Sequence, residues 1–326
     1  MSQTANTFDT FGAKGIRESL SNVIYNISPE ETPFMSNVGR ENVKNTYFEW
    51  QTDSLAAAST TNAQIEGDDV SSYDSTAATT RIGNYTQVSR KTLILSGTLE
   101  SVDKAGRRSE LAYQLAKRSA ELKRDMESTC LTNQAADGGS AGVSTALRKT
   151  GSLLAFIKTN TDKGTGGADP TYTTSPNATR TDATNANLRT FTETILKSVI
   201  QKVWAAGGTP KVLMVGPVNK QRVSGFAGIA EIRREVTGNR QATIIGAADV
   251  YVSDFGNVNV VPNRFQRERD AFVLDPEYAG IAFLRPFSTV ELAKTGDAEK
   301  RMLVVEWGLK VNTEAAHGLA ADLTTT

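Results

Sequence analysis

His317 and Cys130 are the single histidine and the single cysteine of the 326-residue chain. That count removes His-rich metal sites, most zinc enzymes and an intramolecular disulfide. The acidic run Glu66-Gly67-Asp68-Asp69 carries oxygens that a hard cation would take, but it lacks the alternating ligands and closing Glu of a calcium loop. It reads as a solvated acidic tip. Lys294-Thr295-Gly296 matches the Lys-Thr-Gly of penicillin-binding enzymes, yet no Ser-x-x-Lys supplies their nucleophile, so it reads as the entry to a hairpin turn. Gly164-Thr165-Gly166-Gly167 is followed by Ala168-Asp169-Pro170, which opens no helix and brings no Lys-Ser/Thr to a phosphate. Ser224 lacks the first glycine of a nucleophile elbow. Asp and Glu total 36, so a carboxylate-dependent hydrolase stays open as an alternative. No cofactor is implied.

The elements that would position any such groups are dominated by one stretch. Residues 109–131 hold strong helix formers with no Gly or Pro, a rod on the order of 35 Å. Leu111, Leu115, Leu122 and Met126 share one face, widened by Ala112 and Cys130, while Lys117, Glu121, Arg124 and Asp125 lie opposite. Ser109 is the expected N-cap. Before this helix, residues 1–45 have sparse apolar anchors and read as an arm that docks elsewhere. A period-two strand follows over 46–53, with Phe48 and Trp50 on one face. The polar tract 56–80 comes next, then a second extended leg over 81–95. The two legs make a hairpin reaching outward.

After the helix, 132–187 reads as a surface insertion or long irregular connection. A second helix is expected over 191–206, with a capping box at Thr190 and Glu193, an apolar face that includes Trp204, and Gly207-Gly208 as its end. Strands are expected at 211–215, 242–245, 249–253, 258–261, 271–274, 279–284 and 289–292. A short helix falls at 218–226, and Gly296-Asp297 turns into a last long strand over 301–311. The tail from Ala315 reads as polar.

Hydrophobic residues are 39% and charged residues 22% of the chain, and 36 Lys+Arg balance 36 Asp+Glu. Such a balance gives no bulk attraction to nucleic acid or membrane. The amino terminus has no apolar signal core, so folding in a reducing cytoplasm is expected.

The order of arm, polar hairpin, long helix, α/β unit and returning strands resembles the major capsid protein of tailed bacteriophages with the Hong Kong 97-type fold. The wording carries the resemblance: Arg17-Glu18-Ser19-Leu20, Ile24-Tyr25-Asn26-Ile27-Ser28-Pro29-Glu30-Glu31-Thr32-Pro33-Phe34, Glu49-Trp50-Gln51-Thr52-Asp53-Ser54-Leu55 and Glu66-Gly67-Asp68. It continues in Tyr251-Val252-Ser253-Asp254-Phe255-Gly256, Val260-Val261-Pro262-Asn263-Arg264, Leu292-Ala293-Lys294-Thr295-Gly296-Asp297 and Glu306-Trp307-Gly308-Leu309. It is weakest over 132–187.

The resemblance implies an α+β chain and a non-enzymatic shell subunit. Residues 1–45 would be an N-terminal arm and 46–95 an extended loop lying over a neighbour. A peripheral domain with a spine helix and insertion would span 96–189, and an axial domain 190–285. The return strands and C-terminus would be 286–326. Trp50, Glu66, Asp68, Asp69, Lys294 and Asp297 become the inter-subunit contact candidates. Partners would be copies of the chain in pentamers and hexamers, a separate scaffolding protein, a portal, a decoration protein, and packaged DNA without sequence readout; no membrane is involved. Assembly would occur in the host cytoplasm and end in the virion capsid. No covalent Lys–Asn cross-link is expected. A decoration or tail-tube subunit is the other structural alternative.

Overall fold

The computed structural model describes residues 31–325 apart from 68, 70–72, 77, 105, 141–145 and 227–248. The expectations for 1–30 and for a strand at 242–245 fall outside the described residues. In chain order come α1 (Pro33–Asn37), β1 (Gly39–Asn42), β2 (Tyr47–Thr52), β3 (Thr80–Tyr85), β4 (Gln87–Ser96), α2 (Gly97–Ser101) and α3 (Glu110–Leu131). Then follow α4 (Leu153–Phe156), β5 (Thr161–Asp162), α5 (Glu193–Ala205), β6 (Val212–Val215), α6 (Pro217–Ser224), β7 (Val250–Ser253) and β8 (Gly256–Pro262). The chain closes with β9 (Ala271–Leu274), β10 (Ala279–Glu291), β11 (Ala298–Val311) and β12 (Gly318–Ala320).

Two sheets organise the body. One has four strands in the order β1-β10-β11-β4, the other six in the order β5-β12-β9-β6-β8-β7, and β2 pairs with β3 in a separate ribbon. The helix α3 starts where Ser109 Oγ accepts the Ala112 N–H, 3.2 Å away. Its Leu122, Met126, Cys130 and Leu131 enter one core with Leu303, Val305, Trp307 and Leu309 of β11 and with α4. The upper half is less covered than its pattern suggests, since Leu111 and Leu115 are half-buried and Ala112 is exposed.

The strands β6 and β9 are buried throughout, as the runs Val-Leu-Met-Val and Ala-Phe-Val-Leu. Alternation then splits them between two cores. Val212, Met214, Phe272 and Leu274 face the α3 core, whereas Leu213, Val215, Ala271 and Val273 face α5 through Leu196, Val199, Ile200 and Val203.

Several expectations need correction. The second hairpin leg divides: β3 pairs with β2, but β4 leaves the ribbon and pairs with β11 over its whole length. The extended loop therefore ends before 95, because hydrogen bonds to β11 tie residues 87–96 into the main sheet. The strands expected at 279–284 and 289–292 are one strand, β10. Register shifts between Phe283 and Ser288 straddle Pro286, which has no N–H for the ladder, so bulges carry the strand past it.

The cap of α5 is Thr192 rather than Thr190; its Oγ1 accepts the Ile195 N–H at 3.4 Å. Trp204 is 55% exposed, outside the apolar face. Of the two readings for 132–187, the described residues fit a long irregular connection rather than an insertion confined to the surface. Leu153 to Ile157 are buried, and Arg180 is fully enclosed. The tail is not polar in placement either: His317, Leu319, Ala321 and Leu323 are buried, with β12 parallel to β5 and antiparallel to β9. Gly318 makes that seat, because a Cβ there would lie 2.5 Å from Val199 Cγ1 on α5.

Candidate functional site

The hairpin is rooted by one asparagine. Asn84 is fully buried and its Nδ2 donates to Leu309 O at 2.6 Å, Thr150 Oγ1 at 3.0 Å and Gly151 O at 3.2 Å. Its Oδ1 accepts the Gly151 N–H at 2.8 Å, so the amide stitches β3 to β11 and to the 132–187 segment. A second tie is the buried Glu306 carboxylate, which takes Arg148, Arg285 Nε at 2.8 Å and Thr86 Oγ1 at 3.2 Å. Phe48 lies against Gly308, where a Cβ would come within 2.7 Å of its ring. From this fixed root the described residues between Asp53 and Thr79 are all exposed, Leu55, Ile65 and Tyr73 among them.

Trp50 is therefore an anchor within the subunit. Its Nε1 donates to Asn312 O at 3.2 Å, and its ring stacks on Phe48 and tilts against Phe156. Glu66 and Asp69 stand exposed in the loop, and Asp68 lies outside the described residues. Lys294 and Asp297 sit in the exposed β10–β11 turn. Lys294 Nζ is 3.3 Å from Glu299, and Asp297 O accepts the Gly97 N–H at 3.2 Å. The five described candidates thus occupy three places: a core edge, a loop and a turn.

Sequence periodicity missed the buried polar groups. Glu127 of α3, outside the apolar stripe, accepts the Phe34 and Met35 N–H groups at 2.7 and 2.9 Å and Asn263 Nδ2 at 2.6 Å. It caps the first turn of α1 and so fastens the end of the arm to the spine. Burial pushes its carboxyl up, against the lowering by those three donors. No spacing rule could have paired residues so distant in the chain.

The single histidine and the single cysteine are both buried. Burial drives the His317 imidazole down to about 4, keeping it neutral, and pushes the Cys130 thiol up. Among the described residues no group of three His, Cys, Asp or Glu could hold a metal ion.

The densest titratable cluster is structural. Asp322, held at φ 58°, accepts the Ala183 N–H at 2.8 Å and the Gly164 N–H at 3.1 Å, with Arg180 at 3.2 Å and Arg269 at 3.3 Å. Nearby Asp270 faces Arg267 Nε, 3.2 Å away, and Arg267 also serves Asp182. Burial pushes Asp270 up to about 7, with Arg267 opposing. A raised carboxyl binds its proton in the folded state before the unfolded one does. Its contribution to stability is therefore present at low pH and is lost as pH rises from about 4 to about 7, by roughly 1.4 kcal/mol per unit. Thermal melts from pH 5 to pH 7.5 are expected to show the wild type losing stability relative to Asp270→Asn over that window; parallel curves would rule the effect out.

The chain is similar to known proteins in family profile, in sequence and in fold. A family profile described as SU10 major capsid protein matches residues 2–324. The major capsid protein of Escherichia phage Phieco32 is 28% identical over 343 residues, covering 96% of each chain. Among solved structures, the capsid of cyanophage A-1(L) matches with a TM-score of 0.67 at 11% identity, covering 97% of this chain and 99% of that one. Gordonia phage Cozz matches with a TM-score of 0.60 at 13% identity, covering 99% and 98%. An encapsulin complex from Synechococcus elongatus matches with a TM-score of 0.57 at 10% identity, covering 98% and 97%.

Proposed function

Because the chain belongs to the SU10 major capsid protein family and has the Hong Kong 97-type fold, we propose that it builds the icosahedral shell around the double-stranded DNA of a tailed phage. It is a virion capsid protein that assembles with copies of itself; the proposal extends to how those copies meet. The observation that carries it is the hairpin, rooted at Asn84 and Glu306 and exposed from Asp53 onward. A segment with no core of its own, on a fixed root, is suited to lie across a neighbouring subunit.

In this reading the copies form pentamers and hexamers. Residues 190–285 meet around the axes, and the Lys294–Asp297 turn lies near threefold contacts. A separate scaffolding protein sets curvature in the host cytoplasm, a portal occupies one vertex, and a decoration protein can add to the outside. DNA is held behind the shell without base readout. The chain has no catalytic duty; the neutral buried His317 and paired Lys294 support that. No helix among the described residues is long and apolar enough to cross a membrane.

Electron microscopy of the overexpressed chain, with and without a scaffolding protein, tests this. Closed shells or capsomer rings are expected. A persistently monodisperse monomer with hydrolytic activity would overturn it in favour of an enzyme, and isolated tubes or trimers would favour a tail-tube or decoration role.

A further inference from the structure

Asp270 is fully buried, yet neither of its carboxylate oxygens has a hydrogen-bond partner among the described residues. Asp182 Oδ1 is buried and unpartnered too, and so is Oε1 of Gln266, whose Nε2 donates to Asp270 O at 2.6 Å. One guanidinium serves both carboxylates: Arg267 Nη2 lies 2.6 Å from Asp182 Oδ2, and its Nε lies 3.2 Å from Asp270 Oδ2. Those two nitrogens share one edge of the guanidinium, so the carboxyl groups stand side by side with a single positive charge between them. Arg180 and Arg269 have unpartnered Nε atoms, but both are drawn elsewhere. Arg180 pairs with Asp169 at 2.6 Å and Asp322 at 3.2 Å, and Arg269 with Asp322 at 3.3 Å. Two buried carboxyl groups that share one counter-charge favour keeping a proton. A neutral Asp270 gains an O–H donor, and Asp182 Oδ1 beside it is there to accept.

This spot lies where the C-terminal tail closes the fold. Asp270 leads directly into β9, which carries β12 in the register Ala271↔Ala320. The Leu323 N–H donates to Arg269 O at 3.0 Å, and the Arg189 N–H to Asp322 O at 3.0 Å. Asp322 Oδ1 accepts the Ala183 N–H at 2.8 Å. The tail fills both cores, with Leu319 and Ala321 on the α3 side and Ala320 and Leu323 on the α5 side. Three segments, 180–183, 267–270 and 320–324, therefore meet around Asp270.

We propose that Asp270 keeps a proton in the folded subunit, donates it in a hydrogen bond to Asp182, and thereby latches the C-terminal strand β12 onto β9. The inference concerns the subunit itself and does not depend on the capsid reading. Loss of the proton leaves two carboxylates on one guanidinium, and lifting the tail relieves them by letting water reach Asp270. Burial raises the Asp270 carboxyl to about 7; Arg267 opposes the rise and Asp182 adds to it, with Arg180 lowering and Asp322 raising in turn. With the tail open the carboxyl returns to its ordinary value of about 3.9. The latch is thus tightest in acid, weakens by up to about tenfold per pH unit between about 4 and 7, and levels off above. Two other groups titrate nearby. Glu268 accepts the Val218 N–H of α6 and is raised by burial, and His317 at the start of the tail is lowered to about 4. Both remain when Asp270 is replaced.

Native-state hydrogen exchange on the full chain from pH 5 to pH 8 tests the latch, with each rate divided by the intrinsic rate at that pH. Amides of 319–324 are compared with those of 303–309 in β11. The wild-type tail is expected to exchange at least tenfold faster than β11. Its protection is expected to fall roughly a hundredfold from pH 5 to pH 8, most of it below pH 7. Asp270→Asn keeps an N–H donor toward Asp182 and is expected to hold the acid-level protection throughout. Asp182→Asn removes the neighbouring charge, and its fall is expected to end at a lower pH. Equal rates in the tail and β11 at every pH would tie tail opening to global unfolding and overturn the latch. A flat wild-type profile, as a water between two ionised carboxylates would give, overturns it as well, and so does a slope that survives in Asp270→Asn. If Asp270→Asn does not fold, an unmoved profile in Asp182→Asn overturns it.

Discussion

Leu122→Asp is expected to abolish folding of the subunit. Leu122 is 1% exposed at the centre of the stripe that α3 lays against Leu303, Val305 and Leu309, with Met126 and Cys130 beside it. The substitution forfeits about 2–5 kcal/mol of apolar packing. It also places a carboxylate where no described donor waits, which adds several kcal/mol more or forces protonation. Against a total stability of about 5–15 kcal/mol, the sum leaves little or no folded population. The measurement is soluble yield with a circular dichroism melt, beside Lys123→Asp, one residue away on the exposed side, which is expected to fold. A soluble, cooperatively melting Leu122→Asp protein would show that the helix buries a different face.

Deleting 56–78 is expected to do the reverse, leaving folding intact and removing assembly. Every described residue of that loop is exposed, and the ribbon beneath it is held by the β2–β3 register from Tyr47↔Tyr85 to Thr52↔Thr80. Its root is held by Asn84 and Glu306, outside the deletion. Shortening a loop lowers its closure entropy cost, so melting is expected within a few degrees of the wild type. In the proposed reading shell formation depends on copy-to-copy contacts of the loop, and electron microscopy is expected to find no closed shells. Normal shells from the shortened chain would refute the arm.

The two experiments separate what the chain does for its own core from what it offers to copies. Trp50 shows why the separation matters. As a large aromatic in a projecting hairpin it reads as a contact for another subunit, yet its indole is bonded to Asn312 O and packed on Phe48 and Phe156. Farther along the same hairpin the described acids Glu66, Asp69 and Asp74 are exposed. The boundary between root and reach lies near Asp53.

Local order was legible wherever the signal was local. Ser109 capping α3, the leucine stripe below it, the alternation through Phe48 and Trp50, and the Gly296 turn before β11 follow from cap chemistry and from periods of 3.6 and 2. The acidity of the loop is likewise a fact of composition. Tertiary structure alone decided the rest. The polar-looking tail is buried because β12 completes a sheet between β5 and β9. Parts of the Gly- and Thr-rich 132–187 segment, Thr150 to Ile157 and Arg180 among them, are buried because Asn84, Glu306 and Asp322 supply partners for its backbone and its arginines. Glu127 became the cap of a helix more than ninety residues earlier. Periodicity records which side of an element is apolar, since burial acts residue by residue. A buried hydrogen bond is worth its desolvation only when donor and acceptor meet, and that meeting is set by the path of the whole chain.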